Sequence, residues 1–197
     1  MTTTYAGGPG RAVSSEWRSR DIVVTAVIGV AFGVVFWAWS SFAWGPLASL
    51  NVIAPVAQDL FYAVWLVPAV LAPLVVRKPG AALFAEVVAA GLSALLATPW
   101  GIDTLISGFL QGGAAELVFL AARYRVWTLP VLAVAAVASS AAAWIHDWIL
   151  YYGTVSLEIQ VARGVVMAIS AVVIAALGSV LIHRSLKQSG VLEGFPD

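Results

Sequence analysis

The stretch 108-GFLQGGAAELVFLAARY-124 reads as a membrane helix that carries Gln111 and Glu116 inside an otherwise apolar, small-residue run. An ionisable side chain near the bilayer centre costs about 2.5–3.5 kcal/mol on insertion scales, so it faces protein or water and has a task. The other apolar segments are expected to be arranged around this helix. Gly108, Gln111 and Ala115 share one helical face, and Gly112 and Glu116 the neighbouring one. Small residues there allow a second helix, or a ligand, to approach the backbone closely.

The composition agrees with a membrane class. Of 197 residues, 61% are hydrophobic and only 10% charged, against about 45–50% and about 25% in soluble domains. That surplus cannot be hidden in one small soluble core, so the chain is an all-α polytopic membrane protein with the lipid bilayer as its surroundings. A net charge of zero gives no steering toward nucleic acid, and no nucleic-acid partner is expected. Absence of cysteine excludes disulfides, thiolate metal sites and a cysteine nucleophile. The first apolar run, 22–43, is too long for the roughly 7–15-residue core of a cleavable signal.

Six spans follow, at about 22–44, 56–76, 81–98, 104–122, 127–151 and 159–183, in one bundle. Residues 1–20 are expected to be a disordered cytoplasmic tail, 21–184 the six-helix transmembrane substrate-binding domain, and 185–197 a cytoplasmic tail. Pro68 and Pro73 are expected to kink span 2. Arg11, Arg18, Arg20, Arg77, Lys78, Arg123, Arg125, Arg184 and Lys187 fall on one side by parity, and Arg163 alone on the other. That asymmetry places both termini in the cytoplasm.

Depth follows from orientation. Asp59, Asp103, Asp147 and Glu158 reach the outer level, where Arg163 is the one base. Each acid either pairs with it, faces water, or favours a cationic ligand; Asp103 and Glu158, in loops, rank last. Trp17, Trp127, Trp44 and Trp100 are explained by interfacial belts. Trp37, Trp39, Trp65, Trp144 and Trp148 remain. Gln58, Tyr62 and Trp65 line one helical face of span 2, and Trp144, Trp148 and Tyr151 one face of span 5, with Asp147 beside them. Such stripes read as packing or as a site. Gln58, Gln111, His146 and Asp147 add polar handles, and an aromatic box with a carboxylate and an amide suits a flat, hydrogen-bonding, cationic heterocycle. Glu86 and Glu116 lie deeper. Each pairs with a loop base such as Arg77 or Arg123, or, for Glu116, reaches the floor of the site or an inter-helix network. Thr25, Gly29 and Gly33 form a small-residue ridge on span 1, for internal packing or for a second protein.

Catalytic signatures are missing. There is no P-loop, no HExxH and no His/Asp cluster at metal spacing, so no metal and no enzymatic activity are expected. Ser107 and His146 lack the upstream glycine of an intramembrane serine-protease dyad.

Four segments, 17-WRSRDIVVTAVIGVAFGVVFW-37, 58-QDLFYAVW-65, 77-RKPGAALFAE-86 and 108-GFLQGGAAELVFLAARYR-125, resemble the substrate-capture (S) components of energy-coupling factor (ECF) vitamin transporters. The likeness is to the YkoE-like thiamine/hydroxymethylpyrimidine type in particular. It runs from Trp17 to His183; the Lys-Pro-Gly-Ala…Glu and Gln-Gly…Ala-Glu patterns are its most specific parts, and the last third matches mainly in hydropathy. The resemblance implies six helices, a vitamin site near the outer face, a transmembrane coupling (T) protein and ABC-type ATPase subunits. The chain would then use no cofactor itself, ATP being hydrolysed by partner subunits. It also makes Gly29 and Gly33 expected partner contacts. The expected ligand contacts for thiamine or hydroxymethylpyrimidine are Trp37, Tyr62, Trp65, Trp144 and Trp148 for stacking, Gln58, Gln111 and Asp147 for hydrogen bonds or counter-charge, and Glu116 as a carboxylate partner. Two alternatives stand beside this one. The chain could be an S component or solitary permease for another vitamin or metabolite, or a structural membrane protein.

Overall fold

A computed structural model describes residues 16–52, 54 and 56–195. Residues 1–15 of the expected tail, with Arg11, lie outside the described residues, as do 196–197. Among the described residues the fold is entirely helical. Five helical segments have the length and apolarity to cross a bilayer: α1 (Ser19–Val52), α2 (Ala57–Val76), α4 (Asp103–Ala121), α5 (Leu129–Leu150) and α6 (Leu157–Gln188). Between them, α3 (Ala81–Leu95) is apolar but has 15 residues, about 22 Å at 1.5 Å per residue, short of a core of about 30 Å.

The central helix is α2, not α4. It touches each of the other five, while α1, α3, α4, α5 and α6 follow one another around it. Along the most apolar part of α2, 78% of residues are buried, against 28% in α4. Every residue from Val67 to Val76 is buried. VPAVLAPLVV has no polar face to turn outward, and a helix apolar all round belongs at the centre. Gln111 and Glu116 instead mark the inward stripe of a peripheral helix.

The prolines of α2 act through helix type. Ala57–Leu66 is a 3₁₀ helix and Val67–Val76 an α-helix, with Pro68 in the first α turn and Pro73 inside. At such a switch backbone N–H groups lose their in-helix acceptors. Neighbouring helices supply replacements: Ser170 Oγ accepts from the Ala63 N–H (3.1 Å) and Glu86 Oε2 from the Ala69 N–H (3.0 Å).

Both ends of the described residues are tied to the bundle. Within the expected N-terminal tail, the Trp17 indole N–H donates to the Pro79 carbonyl (2.9 Å) and the Arg18 N–H to Asp21 (3.0 Å). Near the other end Leu192 is buried, and Arg20 lies 4.9 Å over the Phe195 ring.

The glycine ridge of α1 faces inward. A Cβ on Gly29 would stand 2.8 Å from Val88 Cβ, and one on Gly33 2.7 Å from Leu92 Cβ and 3.0 Å from the Ala89 carbonyl oxygen. Expected as a partner contact, this ridge is filled by α3, because only residues without a side chain let two helix backbones come so near. The exposed face of α1 is the other one, with Val23 and Val27 at 58% and 61% exposure. Gly33→Ala is therefore expected to lower the stability of the isolated chain by about 1–3 kcal/mol through overpacking, read as a lower melting temperature with no partner present.

Candidate functional site

A cavity of about 600 Å³, its open mouth included, lies among α1 to α5. From α1 and α2 come aromatic rings: Trp44, Tyr62 and Trp65 line the wall and meet edge to face, with ring centres 4.6–5.8 Å apart. Trp100 and Tyr151 form a second edge-on pair at 5.5 Å, and Phe36 and Tyr152 also line the space. Polar groups come from α4, with Thr104, Ser107 and Gln111 on one side of it. The Gln111 amide donates to Ser107 Oγ at 2.5 Å. Three acids line the cavity, Glu86, Asp103 and Asp147, and among the described residues no lysine or arginine does.

The acids are held in different ways. Asp103 opens α4 and reaches across to α5, its Oδ1 3.1 Å from His146 Nε2 and its Oδ2 accepting from the Tyr151 hydroxyl at 2.5 Å. His146 Nδ1 lies 3.2 Å from Asp147 Oδ1. One imidazole thus bridges two carboxyl groups and joins the start of α4 to the end of α5. Burial, then the bond to Asp103, holds the Tyr151 phenol above its ordinary value. Glu86, on α3, is fully buried. Its place beside α4 depends on Gly112, where a Cβ would come 2.8 Å from Glu86 Cβ, and on Gly108, where one would come 2.5 Å from Ala90 Cβ.

Beyond the cavity's edge, Arg163 of α6 makes a two-pronged bond to Asp59 of α2, Nε to Oδ2 at 3.0 Å and Nη2 to Oδ1 at 3.2 Å. Its guanidinium sits 3.4 Å from the Tyr152 ring centre, and the Gln160 amide donates to the Tyr152 carbonyl. Tyr152 is thereby fixed as part of the wall.

Relatives share this architecture. Residues 20–142 match a family described as the permease component of an ABC-type cobalt transport system. A protein of Bacillus subtilis (strain 168), named as the HMP/thiamine permease YkoE, is 36% identical over 184 residues, covering 91% of this chain and 89% of that one. The chain belongs to the YkoE family of ECF S components. In a crystal structure of an S-component of an ECF transporter, the fold agrees with a TM-score of 0.85 at 35% identity, over 91% of this chain and 90% of that chain. As an S component it is a transporter subunit and not an enzyme, multi-pass in the plasma membrane, with membrane partners and a small-molecule substrate.

Of the residues expected at the site, this S component brings Tyr62, Trp65, Gln111 and Asp147 together around the cavity. The others lie off it. Gln58 is occupied at both ends of its amide: its nitrogen donates to the Trp44 carbonyl (2.7 Å) and its oxygen accepts from Asn51 (3.1 Å). It therefore positions Trp44. The Trp144 indole donates to the Gln160 carbonyl (2.9 Å) and lies on Gly164, where a Cβ would be 3.1 Å from the ring. Trp148 packs on Trp144 at 5.2 Å, and Trp37 on Phe42 at 5.5 Å. Glu116 serves the inter-helix network: it accepts from the N–H groups of Gly80 (2.6 Å) and Ala82 (3.0 Å) and from the Tyr124 hydroxyl (2.7 Å). Glu86, weighed as a partner for a loop base, has instead the Ala69 N–H. Trp44 and Trp100, assigned to interfacial belts, line the cavity, and so does Asp103, ranked last among the outer acids.

Proposed function

We propose that this S component captures thiamine or its hydroxymethylpyrimidine precursor from outside the cell and delivers it through an ATP-driven complex. The observation that carries this reading is the cavity wall: an aromatic lining with three carboxyl groups and, among the described residues, no lysine or arginine. Such a wall suits a flat cation or a heterocycle rich in N–H donors and repels anions. The relative named as an HMP/thiamine permease supports the same ligand. The cobalt of the family description fits less well, because no group of three or more His, Cys, Asp or Glu side chains among the described residues could hold a metal ion.

In this reading α3 crosses the bilayer with the five longer segments, giving six spans. The lysine and arginine asymmetry puts both termini in the cytoplasm and opens the cavity outward. A transmembrane coupling (T) protein and ABC-type ATPase subunits supply the energy. The exposed valine face of α1, not its glycine ridge, is the surface free for that coupling protein or for lipid. The test is a titration of the purified full chain in detergent. Submicromolar binding of thiamine or hydroxymethylpyrimidine, with quenching of Trp fluorescence from the indoles around the cavity, is expected. No binding of either at high micromolar concentration would sink the proposal, and saturable Co²⁺ binding would favour the metal reading.

A further inference from the structure

Glu86 differs from the other two acids of the cavity. Asp103 and Asp147 both engage His146. Glu86 lines the cavity and is 0% exposed. Its Oε2 accepts from the Ala69 N–H at 3.0 Å, while Oε1 is buried with no hydrogen-bond partner. Of the three acids, Glu86 alone has such an oxygen. Its position is built by two independent features. The change of helix type in α2 exposes the Ala69 N–H at the start of an α segment, where the helix dipole favours a carboxyl group. The missing side chain of Gly112 makes room for Glu86 Cβ. A buried carboxyl oxygen without a hydrogen-bond partner is costly, so Oε1 is the atom of the cavity wall with most to gain from a ligand. Ala90 and Gly108, small residues of α3 and α4, line the same cavity.

We infer that Glu86 determines specificity, its Oε1 accepting the exocyclic N–H of an amino-substituted heterocycle. This rests on the thiamine and hydroxymethylpyrimidine reading above and names the atom that distinguishes these ligands from close analogues. Both compounds carry a 4-amino group on the pyrimidine. A 4-oxo analogue has nearly the same shape but presents a carbonyl at that position, which would face Oε1 acceptor to acceptor. Sites that pair a buried polar group with a ligand N–H reject analogues lacking it far more strongly than apolar pockets reject a change of size.

The experiment titrates thiamine and its 4-oxo analogue into the native full chain and into Glu86→Gln. Glutamine retains the volume and an acceptor oxygen for the Ala69 N–H, and the melting temperature of the ligand-free variant reports whether the bundle is intact. The native chain is expected to prefer the amino compound by about 100-fold. Glu86→Gln is expected to lose most of that ratio by weakening thiamine binding, with the oxo analogue bound as before or better. A native chain that binds both compounds equally overturns the inference without any variant, and so does an intact Glu86→Gln that keeps the native ratio. If the native chain binds neither thiamine nor hydroxymethylpyrimidine, the functional reading itself fails and this assignment with it.

Discussion

Glu116→Ala is expected to lower the stability of the ligand-free chain by about 3 kcal/mol and to leave thiamine affinity unchanged. The carboxyl group of Glu116 closes the turn between α2 and α3. Arg77 ends α2 in a left-handed conformation (φ 51°) and Gly80 opens α3 at φ 87°, a value that glycine reaches without steric cost. The first N–H groups of a helix have no acceptor within it. Here Glu116, from the middle of α4, accepts from Gly80, Ala82 and, more distantly, Leu83 at 3.4 Å. Tyr124 donates to it from beyond the end of α4, across two consecutive left-handed residues, Arg123 and Tyr124 (both φ 54°). Burial, then the bond to Glu116, holds the Tyr124 phenol well above its ordinary value, so the hydroxyl keeps its proton. Bonds to a charged acceptor contribute about 1.5–3 kcal/mol each, and several lost together from one side chain are not additive. Thermal melting of the detergent-purified chain checks the first half of the expectation and titration with thiamine the second. Weakened binding at unchanged melting temperature would return Glu116 to the ligand site.

Glu116 also shows where sequence reasoning stops. Its cost in lipid announced that it had a partner, and helical spacing put it beside Gly112. Neither said that the partner would be the backbone of another helix's first turn, because backbone N–H groups carry no residue identity. The same limit hid the partner of Glu86, whose Ala69 N–H is free only because α2 changes helix type before Pro68. Hydropathy located the helical segments, but α1 runs on to Val52, eight residues past its expected end at 44. It ranked the helices wrongly, since polar residues in α4 drew attention while the featureless run Val67–Val76 took the centre. Periodicity found the Trp144 and Trp148 stripe but not the neighbour it faces; the small residue opposite, Gly164, was the available signal. Trp44 and Trp100 were passed over because one residue type serves both belts and binding walls. Tyr62, Trp65, Gln111 and Asp147 were legible because each combined a polar or aromatic group with a depth where lipid offers no partner.

The pair of Asp59 and Arg163 gives the largest expected effect. Both side chains are about 6% exposed, so Arg163→Met leaves a carboxyl group buried beside no cation, at a cost of about 3–5 kcal/mol. The double variant Asp59→Leu with Arg163→Met removes both charges from the low-dielectric interior. It is expected to recover the native melting temperature or exceed it, because well-packed apolar residues often replace a buried ion pair without loss. Stability alone then does not account for the pair. What the double variant cannot restore is the seat of Tyr152, which lies over the Arg163 guanidinium at 3.4 Å and forms part of the cavity wall. A desolvated cation–π contact contributes about 2 kcal/mol, so the freed ring is expected to weaken thiamine binding by roughly 10-fold or more in a chain that is otherwise folded. Melting curves and titrations on the single and double variants separate the two roles. A double variant that is both stable and fully able to bind would show that the pair only neutralises its own burial. A stable one that binds weakly would show that the charge on α6 is kept to hold Tyr152 against the ligand.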